Sequence, residues 1–229
     1  MAEQLLWHKS QPALLAQVKE DLQARMDELN YSFRNGCFVA DGEFPVHCNG
    51  LIIEKYMLEL AFPLSFPADF PVVSETGGKI PREAARHVNL SGTLCLGVPE
   101  EICQIVRDPG NITLFLDRIV NDHLMQQVSY EGDKKYLGEH DHHLQGRLDY
   151  YGELFPEAKS DPRRLRRCID LLLAHKLCGR TFCPICGTTR LKNCHLELFK
   201  QHRGKITARV LEDMREEIRA KLREPPRRH

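Results

Sequence analysis

Two groups of cysteines stand in surroundings that could do chemistry. One is a solitary thiol, Cys95, which ends the run His87-Val88-Asn89-Leu90-Ser91-Gly92-Thr93-Leu94-Cys95. A free thiol of pKa ~8.5 is a few per cent thiolate at neutral pH, and sulfur is both a soft nucleophile and a good leaving group. Those two properties suit an acyl group carried as a thioester and handed on to an amine. A carboxamide such as that of Asn89 could donate to the developing oxyanion, an effect worth ~2.7–4 kcal/mol, or hold the loop that does so. An amine of pKa ~10.4 must also shed a proton, and Glu100, Glu101 and Asp108 are the carboxylates at hand. Against this stands a plainer reading of Cys95, flanked by Leu94 and Leu96, as a buried structural thiol. His87, read alone, is more simply a hydrogen-bonded structural histidine than a general base.

The second group lies near the C-terminus. Cys183-Pro184-Ile185-Cys186-Gly187 sets two thiols at C-x2-C spacing, with a glycine that allows the tight turn of a metal knuckle. Cys194 and His195 are the expected third and fourth ligands, with Cys178 replacing His195 as the next choice and His202 further in reserve. Four protein ligands close the coordination sphere of a zinc ion, so the expected site is structural. Its surroundings are basic, with Arg180, Arg190, Lys192, Lys200, Arg203 and Lys205, but the only aromatics nearby are Phe182 and Phe199. Protein docking is therefore favoured over nucleic acid as the role of this segment. Cys37, Cys48, Cys103 and Cys168 have no comparable context and read as core or surface thiols. The cluster His140, Asp141, His142 and His143 reads as a solvated loop or helix start, because adjacent residues rarely converge on one ion.

These groups need elements to position them. Leu14, Leu15, Val18, Leu22, Met26 and Leu29 recur at helical spacing, so a helix is expected over 11–30. Short extended runs follow at 37–40, 51–62 and 72–75, punctuated by Asp41-Gly42, Asn49-Gly50 and prolines, as in an antiparallel meander. Tyr56, Leu58, Leu60 and Phe62 alternate onto one face, which a sheet packed on helices requires. Residues 76–111 are rich in glycine and proline and are expected to be loop, with a helical turn at 100–106; loops of this length are usually functional. Further helices are expected at 113–130, capped by Asn111 or Thr113, at 143–154, from Asp161-Pro162 to about 176, and at 207–223.

Composition sets the class. The chain has 229 residues, 42% hydrophobic and 28% charged, which excludes a disordered or fibrous protein. No apolar run approaches the ~20 residues of a membrane span, and the start lacks a basic secretory lead-in, so the cytoplasm is the expected compartment and no membrane partner is expected. Nine cysteines, an odd count, argue against a disulfide framework. The zero net charge conceals a polarity: residues 1–162 carry 14 Lys and Arg against 25 Asp and Glu, and residues 163–229 carry 18 against 7. An acidic body with a basic tail fits either an acidic or nucleic-acid partner for the tail, or docking within the chain.

The order of parts, namely a helix, a meander, the proline-rich turn Phe62-Pro63-Leu64-Ser65-Phe66-Pro67, a His/Asn pair and then a Cys-Leu pair, resembles the ubiquitin-conjugating enzymes over about residues 11–130. The resemblance implies that Cys95 is the acyl-accepting nucleophile, Asn89 the amide of the family's His-Pro-Asn tripeptide and His87 its structural first member. Val88 stands in place of the proline, and the interval from Asn89 to Cys95 is shorter than in the eukaryotic enzymes. This looser pattern is similar to divergent bacterial relatives found with ubiquitin-like modifiers, activating enzymes and sometimes antiphage genes. The run from Cys183 to His195 resembles the zinc-binding SEC-C motif, through Gly187, Lys192, Cys194 and His195.

The resulting expectation is an α+β chain. A conjugating-enzyme-like domain at 1–158, with a meander sheet and flanking helices, precedes a helical zinc-binding basic module at 159–229. The expected partners are a ubiquitin-like modifier, its activating enzyme and a target protein, and the expected cofactor is structural zinc. The competing expectation is an inactive adaptor of the same fold, which the shortened interval favours, and a third is a zinc-ribbon nucleic-acid binder.

Overall fold

A computed structural model describes residues 6–133 and 144–223. The cluster His140 to His143 lies outside the described residues. The chain forms two compact units, Met1–Leu96 with Asp108–Glu139, and Gly97–Arg107 with His140–His229. The division differs from the single boundary expected at 158/159, because residues 97–107 and the helix at 144–154 cluster with the C-terminal part.

The first unit is a mixed α and β body. Two helices, α1 (Trp7–Ser10) and α2 (Pro12–Gln23), precede four strands, β1 (Asp27–Arg34), β2 (Cys37–Cys48), β3 (Leu51–Phe62) and β4 (Val72–Glu75). The strands form one antiparallel sheet in the order β1-β2-β3-β4. Both tight hairpins turn on Asn-Gly, with Asn35, Gly36, Asn49 and Gly50 all at positive φ, as turns that match the sheet twist demand. The expected helix over 11–30 is shorter. It stops at Gln23, and the residues from Asp27 onward pair with β2, so that ladder hydrogen bonds replace the helical ones that Met26 and Leu29 invited. Asp41-Gly42 is not a break either; β2 runs straight through it. A Cβ on Gly42 would sit 2.6 Å from the Asp27 carbonyl oxygen, so the glycine serves the close approach of β1 at a bulge.

Tyr56, Leu58, Leu60 and Phe62 are all buried on one face of β3, as their alternation requires. Behind them pass Phe38, Phe66 and Trp7, the last with its ring 4.7 Å from Phe66. A long helix then runs through α4 (Ile112–Phe115), a π-helical turn at Leu116–Val120 and α5 (Asn121–Asp133). The Asn111 carboxamide oxygen caps it by accepting from Leu114 N–H. Two clamps fix the helix. Arg25 grips Asp117 in a bidentate pair at 2.7 and 3.0 Å, and the Asn121 amide exchanges two hydrogen bonds with the His47 backbone where β2 bulges.

The second unit is helical: α3 (Pro99–Val106), α6 (Leu144–Leu154), α7 (Pro162–Leu173), α8 (Leu196–His202) and α9 (Ala208–Arg223). Helix α7 begins at the expected cap, where Asp161 accepts from Arg163 and Arg164 N–H ahead of Pro162. Its core stacks Tyr151, Phe155 and Phe199. Arg147 of α6 forks onto Glu100 of α3, reaches Glu217 of α9 at 2.6 Å and donates to the Val210 carbonyl at 2.8 Å. The Glu100 carboxylate is 0% exposed. Burial pushes it above the ordinary carboxylate range against the pull of Arg147. No helix among the described residues is long and apolar enough to cross a membrane.

Candidate functional site

The first candidate site is built by the loop that follows β4. A 3-10 turn at Ala84–Arg86 ends in His87, whose φ of 51° turns the chain back on itself. From there residues 87–95 fold as a small antiparallel hairpin. Cys95 N–H donates to the His87 carbonyl at 2.7 Å, Asn89 N–H donates to the Thr93 carbonyl at 2.9 Å, and Val88 bridges Leu94 between them. Gly92 closes the turn at φ 90° by donating to the Asn89 carbonyl. Val88 and Leu94 are buried, and the pair His87 and Cys95 is directly opposed in the adjacent register. The bond from Cys95 N–H to the His87 carbonyl holds these two stretches of backbone side by side. Cys95 is half-buried, Asn89 is exposed, and Leu90 at the tip is 86% exposed.

Two elements hold this hairpin. The sheet does so through Leu94 N–H to the Val73 carbonyl, at 2.8 Å, and Glu75 N–H to the Gly92 carbonyl, at 3.1 Å. Helix α5 does so through a buried polar network that sequence reading missed. Arg86 Nε donates to Gln127 Oε1 at 2.9 Å, and Gln127 Nε2 donates back to the Arg86 carbonyl at 2.7 Å. The Arg86 guanidinium also pairs with Glu131 and lies 4.5 Å from the Tyr130 ring centre. The same Gln127 amide nitrogen stands 3.2 Å from His123 Nε2, which as the acceptor leaves the imidazole proton on Nδ1. Burial, with the nearby His87 charge adding to it, pushes the His123 pKa down to about 3, so this ring is neutral in the folded protein. The carboxylates at hand in the sequence fare unequally. Glu100 is spent on Arg147 and has no solvent access, which removes it as a proton acceptor, and Asp108 accepts from Gly110 N–H.

The second candidate site is a metal centre. The chain around 178–194 forms a short two-stranded ribbon in which Thr181 accepts from Leu191 N–H, Cys183 N–H donates to Thr189, and Phe182 bridges Arg190. Gly187, at φ 73°, turns the knuckle and donates to the Cys183 carbonyl at 2.9 Å. Arg164 of α7 clasps the knuckle from outside, donating to the carbonyls of Pro184, at 3.0 Å, and Ile185.

The donor atoms of Cys183, Cys186, Cys194 and His195 all lie within 4.8 Å of one another. The Cys186 and Cys194 sulfurs are 3.7 Å apart, and the Cys183 sulfur is 3.3 Å from His195 Nδ1. A tetrahedron of bonds near 2.3 Å has sulfur-to-sulfur edges of about 3.8 Å, so the group is already shaped to hold a metal ion. The thiols differ in their surroundings. Burial pushes Cys183 up to about 11, whereas the Thr189 hydroxyl and the Thr188 and Thr189 amides draw Cys186 down to about 5. Among the described residues Cys178 and His202 stand outside this group, while Cys103 and Cys168 are buried and pushed up by that burial. No family model, no curated protein and no solved structure matches this chain.

Proposed function

We propose that the chain carries a ubiquitin-like modifier as a thioester on Cys95 and passes it to an amine, as a bacterial relative of the ubiquitin-conjugating enzymes. The observation that carries this reading is the half-exposed Cys95 thiol, presented opposite His87 on a hairpin braced by β4 and α5. In the first step the Cys95 thiolate attacks the acyl carbonyl of the activating enzyme's thioester and that enzyme's thiol leaves. In the second step the amine of a target protein attacks the carbonyl, loses its proton, and expels the Cys95 thiolate. Asn89, exposed at the hairpin turn, serves the oxyanion through its carboxamide or the loop through its backbone bonds to Thr93 and Gly92. Zinc, held by Cys183, Cys186, Cys194 and His195, stabilises the C-terminal module rather than the chemistry.

The same fold without chemistry would be an adaptor that binds the modifier. It is favoured by the Asn89 carboxamide, which takes no hydrogen bond among the described residues. One experiment separates the two. The tagged protein is recovered from its native cells under acidic, non-reducing conditions and resolved with and without thiol reductant. A carrier shows a protein adduct that reductant removes, and Cys95→Ser either abolishes it or converts it to a reductant-resistant ester. An adduct that stays reductant-labile in Cys95→Ser, or no adduct in the parent protein, overturns the proposal.

A further inference from the structure

The two faces of the zinc ribbon differ. Leu191 and Cys183 are buried on the inner face, while Phe182 and Arg190, directly opposed, occupy the outer one. Phe182 is 68% exposed, an unusual position for a large apolar ring, whereas Phe199, the other aromatic of this segment, is 0% exposed. The Phe182 ring also lines a groove of about 500 Å³ with Arg164, Arg167, Leu171 and Pro184. The acids of the groove are already engaged. Asp161 caps α7, and Asp170 faces Arg166 and Arg215 at 3.8 and 3.7 Å. Arg164 is turned onto the knuckle carbonyls. Arg167 and Arg190, both exposed, have no acidic partner among the described residues.

We infer that this face binds a single-stranded polynucleotide, stacking a base on Phe182 with flanking phosphates at Arg167 and Arg190. An uncovered aromatic ring between uncommitted guanidinium groups supplies both contacts that a single strand offers, a flat π-face and a repeating negative charge. The planar arginine fork suits phosphate oxygens better than a point charge does. An acidic peptide is the weaker fit. A hydrophobic anchor residue needs an enclosed pocket, whereas here Leu171, Cys183 and Pro184 line an arginine-flanked groove beside a ring that stands out in solvent. The inference is independent of the chemistry proposed for Cys95, which lies in the other unit.

The test is fluorescence anisotropy with the zinc-loaded full chain at about 50 mM salt. The probes are labelled oligo(dT) and oligo(U) of about 12 nucleotides, a duplex of equal length, and poly-glutamate. Tighter binding of either single strand than of duplex or poly-glutamate is the expected result, and the stronger of the two strands names DNA or RNA as the source. Phe182→Ala should weaken that binding about tenfold and Phe182→Trp should restore it. Arg167→Gln should lower the salt slope by about 0.7. Should Phe182→Ala lose its metal, Arg167→Gln on the exposed side of α7 carries the test alone. Cys95→Ser should bind as the parent does, which keeps this outcome separate from that of the thioester experiment. The inference falls if no oligonucleotide binds, if duplex or poly-glutamate binds as well as single strands, or if Phe182→Ala with its metal intact binds undiminished.

Discussion

Each unit holds a cysteine and a histidine on neighbouring stretches of backbone, and the two pairs sit in different surroundings. In the hairpin at 87–95 Cys95 lies across the backbone from one histidine, at the end of a short set of main-chain hydrogen bonds. At the knuckle, Cys183 and His195 are joined by two more sulfurs whose distances already match a coordination tetrahedron. Four converging donors make a cysteine a metal ligand, whereas thiolate character and exposure make it a nucleophile. The scaffolds differ accordingly. The hairpin is braced by a sheet edge and a helix and would stand without its sulfur, whereas the knuckle has little apolar mass of its own beyond Ile185 and Leu191.

The sharpest way to break this contrast is to remove a ligand. Cys183→Ala, or chelation of the parent protein, should abolish stoichiometric zinc by elemental analysis, against a binding free energy of ~10–16 kcal/mol for structural zinc in small fingers. Hydrogen exchange should then show the amides of 181–195 unprotected and those of β2 and β3 unchanged. Full metal content in Cys183→Ala would erase the distinction between the two sites. A smaller loss, ~3–5 kcal/mol, is expected for Arg147→Met in thermal or denaturant unfolding, because Glu100 is left buried without its cation. Adding Glu100→Gln should recover part of it, and failure to do so would show that packing rather than charge holds that core.

The hairpin's brace can be probed by pH. The unfolded chain protonates His123 below about pH 6.5, whereas burial holds the native pKa at about 3. The unfolded state therefore gains protons first, and stability should fall as pH drops through that window, by about 2 kcal/mol between pH 6.5 and 5. Denaturant titrations of the parent and His123→Gln should show that slope flattened in the variant. The smallest effect is the most telling. Cys95→Ser should shift stability by less than about 1 kcal/mol in the same titrations while eliminating the labile adduct. A large destabilisation would mark Cys95 as packing.

Much of this was legible in the residues themselves where the governing contacts are local. The alternation of Tyr56 to Phe62, the turn at Asn49-Gly50, the cap at Asp161 and the four donors of the knuckle all follow from spacing along one short segment. What was illegible depends on distant partners. Gly42 looked like a turn because nothing nearby shows that β1 presses against it. Glu100 looked like an available base because its cation, Arg147, lies 47 residues away on α6. The opposition of His87 and Cys95 rests on a left-handed residue at 87, and histidine signals that conformation far more weakly than glycine does.

The interleaving of the two units along the chain has a consequence during synthesis. Helix α3 emerges within the sequence of the first unit, yet its acid must await Arg147 on α6, and Arg147 in turn awaits Glu217 on α9. At ~5–20 residues per second, the roughly 120 residues separating Glu100 from Glu217 take the ribosome about 6–24 s. For that interval a nascent helix with a carboxylate built for enclosure stays wet.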